Sequence, residues 1–251
     1  MATILAIHAH PDDIEHLCAG TLAILAAQGH AIRIVTATAG ECGADGTDLA
    51  ATAAIRKGEA AQAAAEIGAT YRCVDLPDLG VFNDDASRRR VTEMIRWARA
   101  DIVITAAPVD YHPDHETISM LVRDACFASS VPNYATGPAA ALAAIPHLYF
   151  MDPSGGRERD GTPVKPDFGV DISQVFETKA AMLSAHESQH AWVAKQHAIT
   201  DHLGVMRAYS AKRGRDFGCA YAEAFRQYTH TPYPRTPALQ DLLAGALRAS
   251  S

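Results

Sequence analysis

Short apolar runs alternate along this chain with longer amphipathic segments, and two of the runs stop abruptly at clusters of His and Asp. Residues 4 to 9 make the first run. An apolar run of this length with no polar alternation reads as a strand buried on both faces, which is how strands of a parallel sheet read. Ile32 to Ala37, Tyr71 to Val74, Ile102 to Ala106 and His147 to Met151 are the next such runs. Between them lie helical patterns. Leu22, Ile24, Leu25 and Ala26 are closed by Gly29, and Ala50 to Ile67 is closed by Gly68, a glycine in the usual place just past a helix end. Asn83 to Ala100 and His115 to Ala128 are two more. Strand and helix in turn, with short connections, predict an α/β fold of at least five mostly parallel strands covered by helices on both faces. A ligand then belongs outside the carboxyl ends of the strands.

Beyond Pro132 the rhythm changes. Residues 132 to 146 hold three prolines among many alanines, Asp152 to Pro166 is a polar loop long enough for a lid, and Gly169 to Ile172 suits an edge strand. Val175 to about Arg213 is helical in pattern, and residues 216 to 237 are aromatic and proline-bearing. With no repeat and no low-complexity linker, residues 1–251 are expected to form a single domain. Its core would run to about residue 190, with a C-terminal helical and aromatic cap over about 191–251.

Composition narrows the function. The 251 residues are 48% hydrophobic and 20% charged, which is ordinary for a folded globular domain. The net charge of −7 and the absence of a basic run leave no footprint for a phosphate backbone, so nucleic acid is not an expected partner. No window is long and apolar enough to span a bilayer, so no membrane is expected either. The N-terminal apolar stretch stops at His8 with no basic region before it, unlike a signal peptide. Five dispersed cysteines without a C-x-x-C pair read as reduced thiols, placing the protein in the cytoplasm.

Twelve histidines are the compositional oddity, and their placement carries the chemistry. His8-Ala9-His10-Pro11-Asp12-Asp13 follows the first strand, and Tyr111-His112-Pro113-Asp114-His115 follows the strand at 102 to 106. In a parallel sheet both clusters reach the same edge. A catalytic zinc takes three protein ligands of nitrogen and oxygen type and keeps one position open for water. His10 and Asp13 on one tight turn, completed by His115, supply such a set. Asp12 and His112 would flank the metal, the first to accept a proton from water, the second to donate to a leaving group.

His10-Pro11-Asp12-Asp13, Gly20-Thr21-Leu22 and His112-Pro113-Asp114-His115 together resemble the PIG-L/LmbE-like zinc deacetylase family, whose signatures are A-H-P-D-D and H-x-D-H. Gly40-Glu41, Arg56 and Glu59, Leu76-Pro77-Asp78, and His186 with Ser188-Gln189 continue the resemblance in order. It implies a Rossmann-like three-layer sandwich. It also implies hydrolysis of the acetyl group from an N-acetylated amino sugar of the N-acetylglucosaminyl type, or a similar small amide, with Zn2+ or another divalent metal as cofactor. By the same resemblance His10, Asp13 and His115 are the metal ligands and Asp12 the general base. His112 protonates the amine or steadies the oxyanion, and Asp114 orients His112. Glu41, Arg56, Asp78 and His186 are candidate substrate contacts. Relatives often form trimers or hexamers, and segment 131 to 146 is a candidate interface. The chain departs from the commonest pattern at Ile14, where many members carry Glu, and at Asp110, where some carry Tyr.

A second motif competes. His186-Glu187-Ser188-Gln189-His190 is a literal H-E-x-x-H, which on one helix would make a zinc peptidase. A protein that binds metal or sugar without catalysis is the third reading.

Overall fold

A computed structural model describes residues 1–46, 48–189, 192 and 201–249 of the chain. Among them, strands β1 (Thr3–His8), β2 (Ala31–Thr36), β3 (Thr70–Cys73), β4 (Ile102–Thr105), β5 (His147–Met151), β6 (Phe168–Asp171), β7 (Ala222–Tyr228) and β8 (Leu247–Arg248) join in one sheet. Its order is β3-β2-β1-β4-β5-β7-β6-β8. The first five are parallel to one another, while β7 runs antiparallel to both β5 and β6, and β8 antiparallel to β6. The helices are α1 (Asp13–Leu17), α2 (Ala19–Ala27), α3 (Leu49–Ala65), α4 (Asp85–Ala98), α5 (Pro113–Ser129), α6 (Phe176–Ser184), α7 (His202–Phe217) and α8 (Ala238–Leu242).

The side chains of β1 show why its apolar run has no alternation. Ile4 and Ala6 pack into the core on one face of the sheet, with Leu22, Leu25 and Met182, while Leu5 and Ile7 pack into the other, with Ile95 and Leu121. Both faces are covered, α2 and α6 serving one and α4 and α5 the other.

The mostly parallel α/β architecture is the one the sequence predicts, and the last third departs from the expected cap. Ala222–Tyr228 does not lie on the sheet but enters it between β5 and β6, so Gly169 and Val170 pair on both sides and the edge passes to β8. The first four residues of β7 are all buried, Glu223 included. Glu223 is tolerated there because Lys179 Nζ stands 2.5 Å from Oε1 and the Gly20 and Thr21 amides donate to the same carboxylate. A buried charge inside a strand hides it from hydrophobic patterning. The helical pattern from Val175 also breaks, since α6 ends at Ser184. Among the described residues no helix is long and apolar enough to cross a membrane.

The order of the strands places the site. From β1 the chain moves outward to β2 and β3, then returns to β4 on the other side of β1 and continues to β5. The crevice between the ends of β1 and β4 is therefore a topological switch point, where connections leave in opposite directions and a ligand can enter. The two His/Asp clusters open from those two strand ends.

Candidate metal centre and active site

The first cluster turns sharply after β1. Asp13 Oδ2 accepts the His10 amide at 2.8 Å and lies 2.7 Å from His8 Nδ1, which fixes the turn and aims the carboxylate back across it. Asp12 holds the position before α1 with φ of 89°, a left-handed backbone unusual for a non-glycine residue. The second cluster starts α5. Pro113 is its first residue, and His112 caps it by accepting the Asp114 amide on Nδ1 at 3.2 Å. Because Nδ1 accepts, the ring proton of neutral His112 resides on Nε2.

These turns bring three donor residues together across the switch point, Asp13 offering a different carboxylate oxygen to each imidazole. His10 Nδ1 lies 3.3 Å from His115 Nε2 and 3.3 Å from Asp13 Oδ2, and His115 Nε2 lies 3.3 Å from Asp13 Oδ1. Zinc bonds of about 2.0–2.1 Å in tetrahedral array set ligand atoms about 3.3–3.4 Å apart, which is the spacing between the two imidazoles and between each imidazole and one oxygen of Asp13. The outer nitrogens agree. His10 Nε2 faces Asp78 Oδ1 at 3.0 Å and Asp114 Oδ2 at 3.4 Å, and His115 Nδ1 faces Asp110 Oδ1 at 3.1 Å. A carboxylate on the far nitrogen holds the proton there and leaves the near nitrogen's lone pair for a metal. Among the described residues three overlapping sets have one donor atom from each member close enough to share an ion: His10-His112-His115, His8-Asp13-His115 and His10-Asp78-Asp114.

Electrostatics favour a cation in this space. Burial alone would raise the Asp13 carboxyl, yet His115 and His8 hold it well below the ordinary range. Burial would likewise lower the two imidazoles, but the surrounding carboxylates outweigh it. His10 is raised by Asp114, Asp13 and Asp78, and His115 is raised to about 9 by Asp13 and Asp110. Asp12 is pushed up by burial, with Arg56 opposing. His112 is pushed down by burial and by the charges of His10 and His115, which keeps it neutral near pH 7.

A cavity of about 260 Å³ opens over this cluster, lined at its base by His10, Asp12, Asp13, His112 and His115. The remaining candidates divide. Arg56 reaches the cavity but is 4% exposed and already committed: Nη1 donates to Gly40 O at 2.7 Å and Nη2 to Pro11 O at 2.9 Å, with Asp12 Oδ2 at 3.4 Å. Gly40 is needed for this clamp, since its φ is +66° and a Cβ there would stand 2.0 Å from Arg56 Nη1. Asp78 lines the cavity with its carboxylate turned to His10 and to the Cys42 amide, at 2.9 Å. Glu41 is not among the residues lining the cavity; its Oε1 accepts the Asp78 amide at 2.9 Å and supports that turn.

Three expectations change. Asp114 does not orient His112 through its carboxylate, which accepts the Leu79 amide at 2.8 Å and faces His10; its backbone amide holds His112 instead. His186 is not among the residues lining the cavity. It is fully buried with Nε2 3.6 Å from Glu15 Oε1, so it packs beneath the first cluster rather than meeting a substrate. His186 directly precedes the helical residues 187–189 and belongs to none of the candidate metal groups among the described residues, so the H-E-x-x-H reading finds no support there. His190, its would-be partner, lies outside the described residues.

Two residues that sequence reasoning passed over belong to the centre. Asp110 was noted only as a replacement for tyrosine, yet it supports His115 and accepts the Tyr111 and Ser154 amides, both at 2.7 Å. His8, the first residue of the first cluster, was given no role, and its Nδ1 lies 2.7 Å from Asp13 Oδ2. The available signal was an acid or imidazole within a few residues of each presumed ligand, because a metal-bound group needs a partner of its own.

Residues 5–126 match the PIG-L family, described as GlcNAc-PI de-N-acetylase. The chain carries a PIG-L family domain. Both His/Asp clusters fall inside the matched span. A 1D-myo-inositol 2-acetamido-2-deoxy-alpha-D-glucopyranoside deacetylase of Acidothermus cellulolyticus is 29% identical over 97% of this chain and 94% of its own length. A protein of Pseudomonas putida named 4-oxalmesaconate hydratase is 25% identical over 92% of this chain and 89% of its own. In fold, the N,N'-diacetylchitobiose deacetylase of Pyrococcus horikoshii superposes with a TM-score of 0.76 at 24% identity, covering 94% of this chain and 87% of that one.

Proposed function

We propose that the protein is a zinc-dependent hydrolase that removes the acetyl group from an N-acetylated amino sugar of the N-acetylglucosaminyl type, or from a similar small amide. The observation that carries this is the cluster of His10, Asp13 and His115, whose donor atoms approach pairwise to 3.3 Å, with Asp12 and His112 at the same cavity. A divalent ion held there would polarise the amide carbonyl and bring the pKa of a water toward 7. Asp12, unengaged by that cluster and held by Arg56, accepts the proton of the attacking water and delivers it to the amide nitrogen as the C–N bond breaks. Neutral His112 donates its Nε2 proton in a hydrogen bond to the carbonyl oxygen as charge builds on it. Asp78, Asp114 and Asp110 act on His10 and His115, keeping the two imidazoles in the ligating tautomer. Water supplies OH to the acetyl carbon and H to the nitrogen, so acetate and the free amine leave.

The rest of the reading follows from the same residues. All five cysteines are free, in keeping with a cytoplasmic protein, and the entry of β7 and β8 into the one sheet supports reading residues 1–251 as a single domain. A trimer or hexamer through segment 131–146 would show in solution scattering as a multiple of the 26.8 kDa chain, and a monomer would remove it.

The test is acetate release from a panel of N-acetyl amino sugars by zinc-loaded protein, with 4-oxalmesaconate as the control for water addition. Acetate from the sugars, abolished by chelation and restored by zinc, is the expected result. Hydration of the control without acetate release would overturn the assignment.

A further inference from the structure

The cavity is polar at its base and apolar at its mouth, and one residue at the mouth stands in a conformation that its backbone role does not explain. Leu79 has φ of +59°, and its amide donates to Asp114 Oδ2 at 2.8 Å and to Asp78 Oδ1 at 3.0 Å. That amide ties together the two carboxylates that face His10. Glycine would make the same clamp without backbone strain and without an exposed apolar side chain. Leucine incurs both costs, since it is 61% exposed at the cavity opening. Tyr111, 67% exposed, lines the same opening, as does Trp192.

The size of the cavity says what such a rim is for. About 260 Å³ is less than the ~300–1,000 Å³ of pockets that enclose a whole drug-sized ligand, so the base takes the reacting end and whatever lies beyond rests on the rim. Among the described lining residues a charged extension finds little to pair with. Arg56 is the one Lys or Arg among the described lining residues, and its two terminal nitrogens already donate to Gly40 and Pro11 and face Asp12, while Asp78 adds negative charge.

We infer that Leu79 and Tyr111 form a specificity rim that selects substrates carrying a flat apolar or aromatic group beyond the acetylated sugar, against those carrying a phosphate. This rests on the deacetylase reading above and deepens it. Aromatic and aliphatic faces stack on such groups, whereas a phosphate would have to shed water without gaining a partner.

The experiment compares N-acetylglucosamine, its phenyl β-glycoside and its 1-phosphate on the zinc-loaded full chain. The phenyl glycoside should show a KM about five- to tenfold below that of the free sugar, and the 1-phosphate a KM above it. Leu79→Gly, which relieves the backbone, and Tyr111→Ala should each raise KM for the phenyl glycoside with little change in kcat. Leu79→Met should restore it. Equal KM values in the wild-type protein, preference for the 1-phosphate, or a fall in kcat alike on all three would overturn the rim. If no acetate appears from any of them, the deacetylase reading fails, and the rim is read separately by calorimetry. Phenyl β-glucosaminide should then bind more tightly than glucosamine to wild type but not to Leu79→Gly, and equal binding to wild type would overturn it.

Discussion

His10 and His115 face each other across the switch point, and they are held in place by opposite means. The outer nitrogen of His10 meets two carboxylates, Asp78 across 68 residues of chain and Asp114 from the first turn of α5. That of His115 meets one, Asp110, from its own connection. The β1 side is therefore assembled by tertiary packing and has a reserve partner, while the α5 side is local and has none among the described residues. Asp110 also accepts the Ser154 amide, which couples His115 to the 152–166 loop. A centre built this way should tolerate damage at Asp78 better than at Asp110.

The largest effect should come from the donors themselves. His10→Ala and His115→Ala should each lose the metal and bring acetate release to background, as zinc per chain alongside the rate would show; full zinc occupancy in either would break the proposed ligand set. Next is Asp12→Ala. It should keep near-stoichiometric zinc and lose turnover by about 10² to 10⁴ fold, the usual worth of a positioned general base. An empty Asp12→Ala protein would instead make Asp12 a ligand. The comparison itself is sharpened by Asp110→Asn against Asp78→Asn. Loss of an outer partner costs about 10 to 100 fold in metal affinity. Asp110→Asn should lie near the upper end and Asp78→Asn near the lower, read by competition with a chelator; the reverse order would show that Asp114 is no reserve.

Much of this was legible because it is local. Apolar runs at residues 4 to 9 and 102 to 106, each ending in His and Asp, disclosed both the parallel strands and the sheet edge they share. The proposed ligand set of His10, Asp13 and His115 needed only that edge and the His10–Asp13 spacing. What supports it was hidden for physical reasons. Asp78 reaches His10 through a turn pinned by Glu41 and by the left-handed Leu79, neither of which leaves a periodic signal. Asp114 sits beside His112 in sequence, but the start of α5 turns its carboxylate toward His10. β7 was obscured by Glu223, whose compensating Lys179 lies 44 residues away.

The smallest effect expected is on stability, in the metal-free protein alone. Burial would lower His115, but Asp13 and Asp110 raise it to about 9, above the unfolded value near 6.5, and His10 is raised as well. A group with a raised folded pKa binds its proton more tightly in the native state, so its contribution is fully present below about 6.5 and is lost as pH rises through about 9. Chelated protein should therefore melt at progressively lower temperature across that window. Zinc-loaded protein should not, because metal replaces those protons and its affinity rises as they leave. Asp110→Asn removes one of the carboxylates that raise His115, so the chelated variant should lose its stability at lower pH than chelated wild type. Asp78→Asn, which acts on His10 with Asp114 still in reserve, should shift the curve less. Thermal melts at closely spaced pH values, with and without chelator, measure this directly. Identical pH profiles for chelated and loaded wild type would mean that the carboxylates do not hold protons on these imidazoles, and the contrast between the two sides of the centre would fall with them.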